Sequence, residues 1–326
     1  MKKFDVCALG EVLIDFTPSG KSKKGMPLFE CNPGGAPANV LAAVNKLGGK
    51  SAFIGKVGND AFGTFLTDNM KTLGIDLTGL RVDGDIPTTL AFVTLDEKGD
   101  RSFSFYRKPG ADIMLTRDEV DEDVLANCDI FHFGSVSLTD DPSRTATLES
   151  AKKAKELGAI ISYDPNYRPL LWKSADEATE IMKIGACLAD IVKVSDEELV
   201  LLTGTDDLEK GAAELLSLGA ALVFVSMGTK GSFVTNGKAG VRLDTYDVKT
   251  VDTTGAGDAF LGSILTRLRG VTRGDMAAQT KDQLEDILDY GNAAGSLTTT
   301  KTGAAPAIPS HEEIEECRRT VKKLQA

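Results

Sequence analysis

The most informative stretch of the chain is Val251-Asp252-Thr253-Thr254-Gly255-Ala256-Gly257-Asp258-Ala259-Phe260-Leu261-Gly262. Small residues at positions 255–257 open a predicted helix, so their backbone N–H groups can point outward at the positive end of the helix dipole. That geometry forms an anion hole, and the carboxylate of Asp258 falls in the first helical turn beside it. A bound phosphoryl group next to a proton acceptor is what transfer to a hydroxyl requires. The same residues also fit a plain glycine-rich helix start whose acid complements the dipole.

Two other nucleotide-binding motifs are absent from the sequence. A P-loop needs Gly-x-x-x-x-Gly-Lys-Ser/Thr, and the Gly-Lys-Ser triplets at 20–22 and 49–51 have Asp15 and Val44 where the first glycine belongs. A dinucleotide fingerprint after the first predicted strand needs three glycines, and only Gly10 is present there. These absences argue against P-loop ATP binding and against nicotinamide chemistry.

Outward from this stretch, apolar β-type runs alternate with helical patterns over most of the chain. This alternation is typical of an α/β fold with a mainly parallel sheet and helices on both faces. The predicted strands cover residues 6–9, 51–57, 130–133, 159–163, 191–194 and 222–226. The predicted helices cover residues 38–47, 60–73, 144–157, 256–268, 281–300 and 311–324.

Residues 88–106 depart from this alternation of strands and helices. Alternating residues flank a Gly-containing turn at 96–100, which predicts a hairpin, and a second hairpin is predicted at Asn236-Gly237. Together with residues 11–16, the first hairpin can build a small antiparallel sheet outside the main one. No internal repeat or linker divides the chain, so we predict a single domain over 1–326 with a β lid contributed from about 11–30 and 86–112.

Composition excludes several classes of partner and site. The 326 residues include 48 acidic and 37 basic side chains, a net charge of −11, which argues against nucleic acid or an anionic membrane surface as partner. No run of about 18 apolar residues predicts a membrane span, and Asp5 interrupts any signal-peptide core, so we expect a cytoplasmic protein. The five cysteines are scattered, and only two histidines are present, which argues against zinc sites and disulfides.

A second glycine pair opens the segment Gly34-Gly35-Ala36-Pro37-Ala38-Asn39-Val40, which leads to Gly55-Lys56-Val57-Gly58-Asn59-Asp60-Ala61-Phe62-Gly63. This segment and the stretch that begins at Asp252 resemble the two signatures of the PfkB (ribokinase-like) carbohydrate kinase family. Their order and separation fit, and the likeness covers nearly the whole chain. The resemblance implies a ribokinase-like fold with the sugar under the lid, ATP with Mg²⁺ in an adjacent groove, and transfer to a sugar hydroxyl.

The resemblance also implies roles for individual residues. Asp258 would be the catalytic base, and the amides of Gly255, Ala256 and Gly257 would form the anion hole. The sugar hydroxyls would be held by Asp15, Gly34, Gly35 and Asn39, since carboxylate and amide groups accept from and donate to adjacent hydroxyls. Because the helix dipole favours the charged form of a first-turn acid, we expect Asp258 to be a weak base.

The nucleotide side follows from the same resemblance. Lys193-Val194-Ser195-Asp196-Glu197-Glu198 aligns with the family's Asn-x-x-Glu motif, but Ser195 stands where the family has Asn. Glu198 would then be an outer-shell Mg²⁺ anchor. The implied nucleotide-binding residues are Lys193, Ser195, Ser226, Gly228, Gly231 and Asn292. Family members often hold a monovalent cation such as K⁺ near the anion hole, and here Asp252, Thr254 and carbonyls around Gly303 would supply it.

Two further segments concern the choice of sugar. Residues 105–112 and 163–172 resemble the corresponding segments of fructokinases and place Phe105, Arg107 and Arg168 at the substrate, with transfer to the 6-position implied. A 2-keto-3-deoxygluconate kinase is the nearest alternative, because it uses two arginines there against a carboxylate, although its relatives favour Tyr at position 105. Another sugar kinase of the PfkB family is a further alternative. A non-catalytic sugar- or nucleotide-sensing protein is the alternative of another class. The small exposed sheet favours a homodimer that pairs through the lid.

Overall fold

Two β-sheets organise the chain, seen in a computed structural model that describes residues 2–95 and 101–324. The strands are β1 (Phe4–Leu9), β2 (Leu13–Lys21), β3 (Pro27–Gly34), β4 (Ser51–Gly58), β5 (Asp76–Asp83), β6 (Leu90–Leu95), β7 (Arg101–Tyr106), β8 (Cys128–Gly134), β9 (Ile160–Asp164), β10 (Ile191–Ser195), β11 (Leu222–Ser226), β12 (Ser232–Thr235) and β13 (Gly240–Leu243). The helices are α1 (Ala36–Lys46), α2 (Ala61–Thr72), α3 (Glu122–Ala126), α4 (Ser143–Glu156), α5 (Ala175–Leu188), α6 (Asp196–Thr203), α7 (Leu208–Ser217), α8 (Ala256–Arg267), α9 (Arg273–Met276), α10 (Lys281–Thr298) and α11 (His311–Thr320).

The larger sheet has the strand order β13-β12-β11-β10-β9-β8-β1-β4-β5. The pairs from β11 across to β5 are parallel, and β12 and β13 add an antiparallel edge. Every residue of β4 is buried, as expected for a strand with helices over both faces. The predicted ribokinase-like α/β architecture is confirmed, and each of the six predicted strands of this sheet is present.

The smaller sheet, which we call the lid, has the strand order β3-β2-β6-β7. Its β6–β7 hairpin is antiparallel, as expected, and the turn at 96–100 lies outside the described residues. The prediction of a wholly antiparallel lid is wrong: β2 and β6 pair in parallel, with Asp15 opposite Ala91. The two strands are 69 positions or more apart, so no tight turn joins them and forces an antiparallel pairing. The lid also includes β3 up to Gly34, so its N-terminal part runs past residue 30.

Several element boundaries differ from those expected. Helix α11 ends at Thr320 rather than at 324, because Tyr246 and Lys323 form a β-bridge that holds the following residues extended. Strand β5 was not predicted; its Asp-Leu-Thr-Gly sequence has weak strand propensity, and its pairing with β4 decides its structure. No helix among the described residues combines the length and apolarity needed to cross a bilayer.

The fold brings several element ends to one edge of the larger sheet. Asp164 ends β9 and Ser195 ends β10, and both strands run in the same direction. Helices α1 and α8 pack against each other, and a side-chain hydrogen bond joins their first turns. Carboxyl ends of parallel strands and amino ends of helices are the usual place for ligands in open α/β sheets.

Candidate active site

Helix α8 begins on a glycine in the left-handed region. Gly255, the N-cap, has φ 77°, and a Cβ at this position would lie 2.5 Å from the Cβ of Ala304, so only glycine fits. No side chain among the described residues caps this helix start. The first N–H groups of a helix have no intrahelical acceptor; here that of Ala256 donates to the Thr253 carbonyl just before the helix at 3.3 Å, which leaves that of Gly257 placed to bind an anion.

Asp258 lies in the first turn of α8, partly buried. Its Oδ2 accepts a hydrogen bond from Nδ2 of Asn39 at 2.8 Å. Burial raises the pKa of Asp258 from 3.8 to about 6, against the opposing effect of the Asn39 hydrogen bond. The expectation of a weak base is therefore wrong: loss of solvation makes the carboxylate more basic than an exposed Asp.

A buried ion pair lies behind the anion hole. Nζ of Lys193 is 2.8 Å from Oδ2 of Asp164, and both side chains are buried. A Cβ built on Gly257 would lie 3.3 Å from this ammonium group, so the positive charge adjoins the start of α8. Burial alone would lower the pKa of Lys193, but the charges of Asp164 and Glu198 override it and raise the pKa. Lys193 is thus a permanent cation beside the anion hole, and Asp164 is a partner that the sequence did not assign.

The lid presents a second carboxylate. Asp15 of β2 pairs with Ala91 of β6, and Ala91 pairs with Phe105 of β7. The three side chains therefore lie on one face of the lid. The Asp15 carboxylate lies directly against Gly34, where any Cβ would collide with it. Burial raises the pKa of Asp15 to about 6, with Arg168 acting in the opposite direction. This arrangement brings Asp15, Gly34, Phe105 and Arg168 to one region.

The two predicted substrate arginines lie in different environments. Arg107 is buried, with Nε 2.8 Å from Oδ2 of Asp112, and it also donates to Oγ1 of Thr139 at 2.7 Å and to the Val136 carbonyl at 3.0 Å. Arg168 is exposed and bonds the carbonyls of residues 166 and 167. Its charge lowers the pKa of Asp258 as well as that of Asp15. Arg107 is therefore held by protein groups, whereas Arg168 remains available to a ligand.

Glu11 is a further buried acid near the site. Its Oε1 accepts the backbone N–H of Ala36 at 3.0 Å, and its Oε2 has no hydrogen-bond partner among the described residues. Burial raises its pKa to about 7. Glu11 thereby anchors the first residue of α1, the helix that carries Asn39. The only local signal for this role is a polar residue that follows shortly after an apolar strand.

The predicted nucleotide residues lie at the ends of β10 and β11. Ser195 is the N-cap of α6 and forms a capping box with Glu198, in which Glu198 Oε2 accepts the Ser195 N–H at 2.8 Å. Ser226 ends β11 and is level with Ser195, and Gly228 and Gly231 flank the short turn that follows. Asn292 is buried within the fold: its Oδ1 accepts from Ser232 at 2.7 Å, and its Nδ2 donates to the Asp244 carbonyl.

The expected metal ligands form no closed cage. Among the described residues, no three His, Cys, Asp or Glu side chains cluster so as to hold a metal ion. Both oxygens of Glu198 accept backbone N–H bonds, so the donor set fits a Mg²⁺ that arrives on phosphate oxygens rather than a resident ion. Asp252, Thr254 and Gly303 do lie together: Asp252 accepts from Thr254 Oγ1 at 2.7 Å and from Gly303 N–H at 3.0 Å.

Residues 3–311 match the family model described as pfkB family carbohydrate kinase. The chain is 44% identical over 311 residues to fructokinase-2 of Solanum lycopersicum, with 94% of each protein covered. Its structure is similar to a fructokinase from Xylella fastidiosa with bound ATP, with a TM-score of 0.89, 33% identity and 97% and 98% of the two chains covered. It is also similar to a fructokinase double mutant from Vibrio cholerae O395 in a fructose, ADP and potassium ion bound form, with a TM-score of 0.84, 34% identity and 97% and 99% covered.

Proposed function

The chain belongs to the pfkB family of carbohydrate kinases, and from this premise we propose that it transfers the γ-phosphoryl group of ATP to D-fructose, giving fructose 6-phosphate and ADP. The observation that carries the proposal is the placement of Asp258. A carboxylate with a pKa near 6 lies beside a helix start that can bind an anion, and a buried lysine adjoins both. The fructokinases among its relatives support the choice of sugar.

In the proposed reaction, Asp258 accepts the proton of the attacking hydroxyl. The hydroxyl oxygen forms the new bond to the γ-phosphorus, the bond from that phosphorus to the β,γ-bridging oxygen breaks, and ADP leaves. The amides of Gly255, Ala256 and Gly257 stabilise the charge on the transferred group, and Lys193 adds a positive charge beside them. Mg²⁺, when bound with the nucleotide, neutralises phosphate charge.

We assign the sugar to the space between the lid and the first turns of α1 and α8. The residues proposed to hold it are Asp15, Gly34, Gly35, Asn39, Phe105 and Arg168. Asp15 and Asn39 can accept from and donate to adjacent hydroxyls, and Phe105 offers an apolar wall on the same lid face as Asp15. Arg107 is proposed to act on the sugar site indirectly, by holding the residues that follow β7 in place.

The nucleotide is assigned to the ends of β10 and β11. Lys193, Ser195, Ser226, Gly228 and Gly231 are proposed to line the groove, with Glu198 near the metal-bound phosphates. Asn292 stabilises the groove indirectly, because its side-chain amide is already hydrogen-bonded to the Ser232 hydroxyl and the Asp244 carbonyl. Asp252, Thr254 and Gly303 are proposed to hold a K⁺ ion that orders the loop before Gly255.

The state of Arg107 favours a neutral sugar over 2-keto-3-deoxygluconate. A carboxylate substrate would need two arginines at this place, and Arg107 is already neutralised by Asp112 in a buried pair. One exposed arginine, Arg168, remains. A sensing protein without transfer has no use for a base at position 258, so an intact Asp258 argues against that alternative.

The lid is proposed to pair two copies of the chain in the cytoplasm. Phe29 and Tyr106 are 39% and 66% exposed, and both rings contact Phe92, at centroid distances of 5.7 and 5.5 Å. An exposed aromatic cluster on a small sheet is a suitable homodimer surface. Sedimentation should show a dimer for the wild type and a monomer for Tyr106→Asp; a monomeric wild type contradicts this part of the proposal.

A coupled assay for ADP release tests the proposed function. Fructose, ribose, 2-keto-3-deoxygluconate, adenosine and fructose 6-phosphate are compared at equal concentration with ATP and Mg²⁺. We expect the highest kcat/KM with fructose and a phosphate on its 6-oxygen in the product. Absence of sugar-dependent ADP release would favour the sensing protein, and a preference for 2-keto-3-deoxygluconate would replace fructose as the substrate.

A further inference from the structure

The residues after β9 form a strained turn that carries Arg168. Asn166 has φ 47°, in the left-handed region, where Asn is among the few non-glycine residues tolerated. Its N–H is 3.2 Å from Oδ1 of Asp164, and the Pro165 carbonyl accepts from the Ser135 N–H at 3.0 Å. A conformation of this kind persists only where surrounding groups hold it.

Glu198 provides the shortest of these contacts. Its Oε1 accepts the backbone N–H of Tyr167 at 2.7 Å, from 31 positions further along the chain, while its Oε2 accepts the N–H of Ser195 at 2.8 Å. The side chain is buried. Both oxygens therefore hold backbone groups, one of them directly before Arg168.

Other capping boxes in the described part of the chain lack this second contact to a turn. In α11, for example, Glu313 Oε2 accepts the Ser310 N–H at 2.7 Å, and the side chain is exposed, with Lys301 as its ionic partner. A capping box needs only a local contact at the helix start. The reach of Glu198 to Tyr167 is thus not explained by the need to cap α6.

We infer that Glu198 is a positioning residue for the sugar side of the site, which fixes the turn 164–168 and thereby directs Arg168 toward the sugar. This inference rests on the proposed function, because it takes Arg168 to contact fructose. It gives Glu198 a role that needs neither nucleotide nor metal.

Binding of fructose to the apoprotein, without nucleotide or Mg²⁺, tests this role. Trp172 is the only tryptophan of the chain and lies four positions after Arg168, so its fluorescence reports on the turn. We expect Arg168→Ala to raise the fructose Kd about tenfold, as for loss of a charge-assisted hydrogen bond, and Glu198→Ala to raise it at least about fivefold. The double variant should bind no more weakly than Arg168→Ala alone, because Glu198 acts through Arg168. The control Glu313→Ala, which removes the matched capping box, should bind fructose like the wild type.

Two results would overturn the inference: wild-type fructose affinity in Glu198→Ala, or additive losses in the double variant. A second readout does not depend on the sugar. Amide hydrogen exchange at Tyr167 should be at least about tenfold faster in Glu198→Ala and unchanged in Glu313→Ala. A wild-type protein that binds no fructose would contradict the proposed function, and unchanged exchange at Tyr167 would then overturn this inference as well.

Discussion

Nδ2 of Asn39 lies 2.8 Å from Oδ2 of Asp258, although the two residues are 219 positions apart in the chain. The contact joins the first turn of α1 to the first turn of α8, and so joins the two sequence signatures of the family. It also sets the chemistry of the base, because the amide N–H stabilises the charged carboxylate while burial opposes it. Asn39 is thus bound to the proposed base as well as close to the proposed sugar region.

Loss of this contact should change the pH dependence of the reaction. Asp258 must be ionised to accept a proton, so kcat/KM for fructose should fall as the pH drops through about 6 in the wild type. In Asn39→Ala this acidic limb of the pH profile of kcat/KM should move to higher pH, because the hydrogen bond that favours the charged form of Asp258 is gone. Asn45→Ala removes another amide of α1, which donates to the Leu73 carbonyl, and should leave the limb in place. An unchanged limb in Asn39→Ala would contradict this reading of the contact.

The two arginines should respond differently to removal. Arg107→Ala leaves Asp112 buried without its cation, and we expect a loss of about 3–5 kcal/mol in the free energy of unfolding. The Arg168 side chain is exposed, so Arg168→Ala should change the free energy of unfolding by less than about 0.5 kcal/mol. The same variant should raise the KM for fructose about tenfold. Thermal unfolding and steady-state kinetics of both variants separate the roles. Equal stability losses in the two variants would show that the assignment is wrong.

The fold is predictable from the sequence because the alternation of strands and helices and the glycine-rich helix start are local patterns. The helix start at residues 255–257 and the position of Asp258 in its first turn follow directly from residues 255–258. The basicity of Asp258 could not be predicted, because it depends on how far the surrounding chain removes water from the carboxylate. The pairing of Arg107 with Asp112 and the parallel β2–β6 contact were likewise hidden, since both depend on packing between segments rather than on a local pattern.

The apoprotein should be stabilised when its base is removed. The folded protein raises the pKa of Asp258 from 3.8 to about 6, so the wild type loses stability relative to a neutral side chain as the pH rises from about 4 to about 6. Asp258→Asn should therefore unfold with a free energy about 2 kcal/mol higher at pH 8, and with about half of that difference at pH 5.

A control with the opposite sign is available in the same measurement. The pKa of Asp275 is lowered by its hydrogen bonds to Thr272, so its charged form is favoured in the folded state. Asp275→Asn should lose stability at pH 8 where Asp258→Asn gains it. A gain for Asp258→Asn that is equal at pH 5 and pH 8 would exclude ionisation as its cause.

A monovalent cation should raise activity through Asp252. This carboxylate orders the loop before Gly255 by accepting from Thr254 and Gly303. We expect turnover of fructose to increase when K⁺ replaces a large organic cation at constant ionic strength, and Asp252→Ala to lose most of that increase. Equal wild-type activity with K⁺ and with the organic cation would contradict the proposed K⁺ site.

The turnover of Asp258→Asn tests the central claim most directly. The variant keeps the size of the side chain and a hydrogen-bonding group toward Asn39, and removes the proton acceptor. We predict that kcat for fructose falls by about two orders of magnitude or more, while the Kd for ATP with Mg²⁺ stays within about threefold of the wild type. Turnover at the wild-type rate would contradict the assignment of Asp258 as the catalytic base.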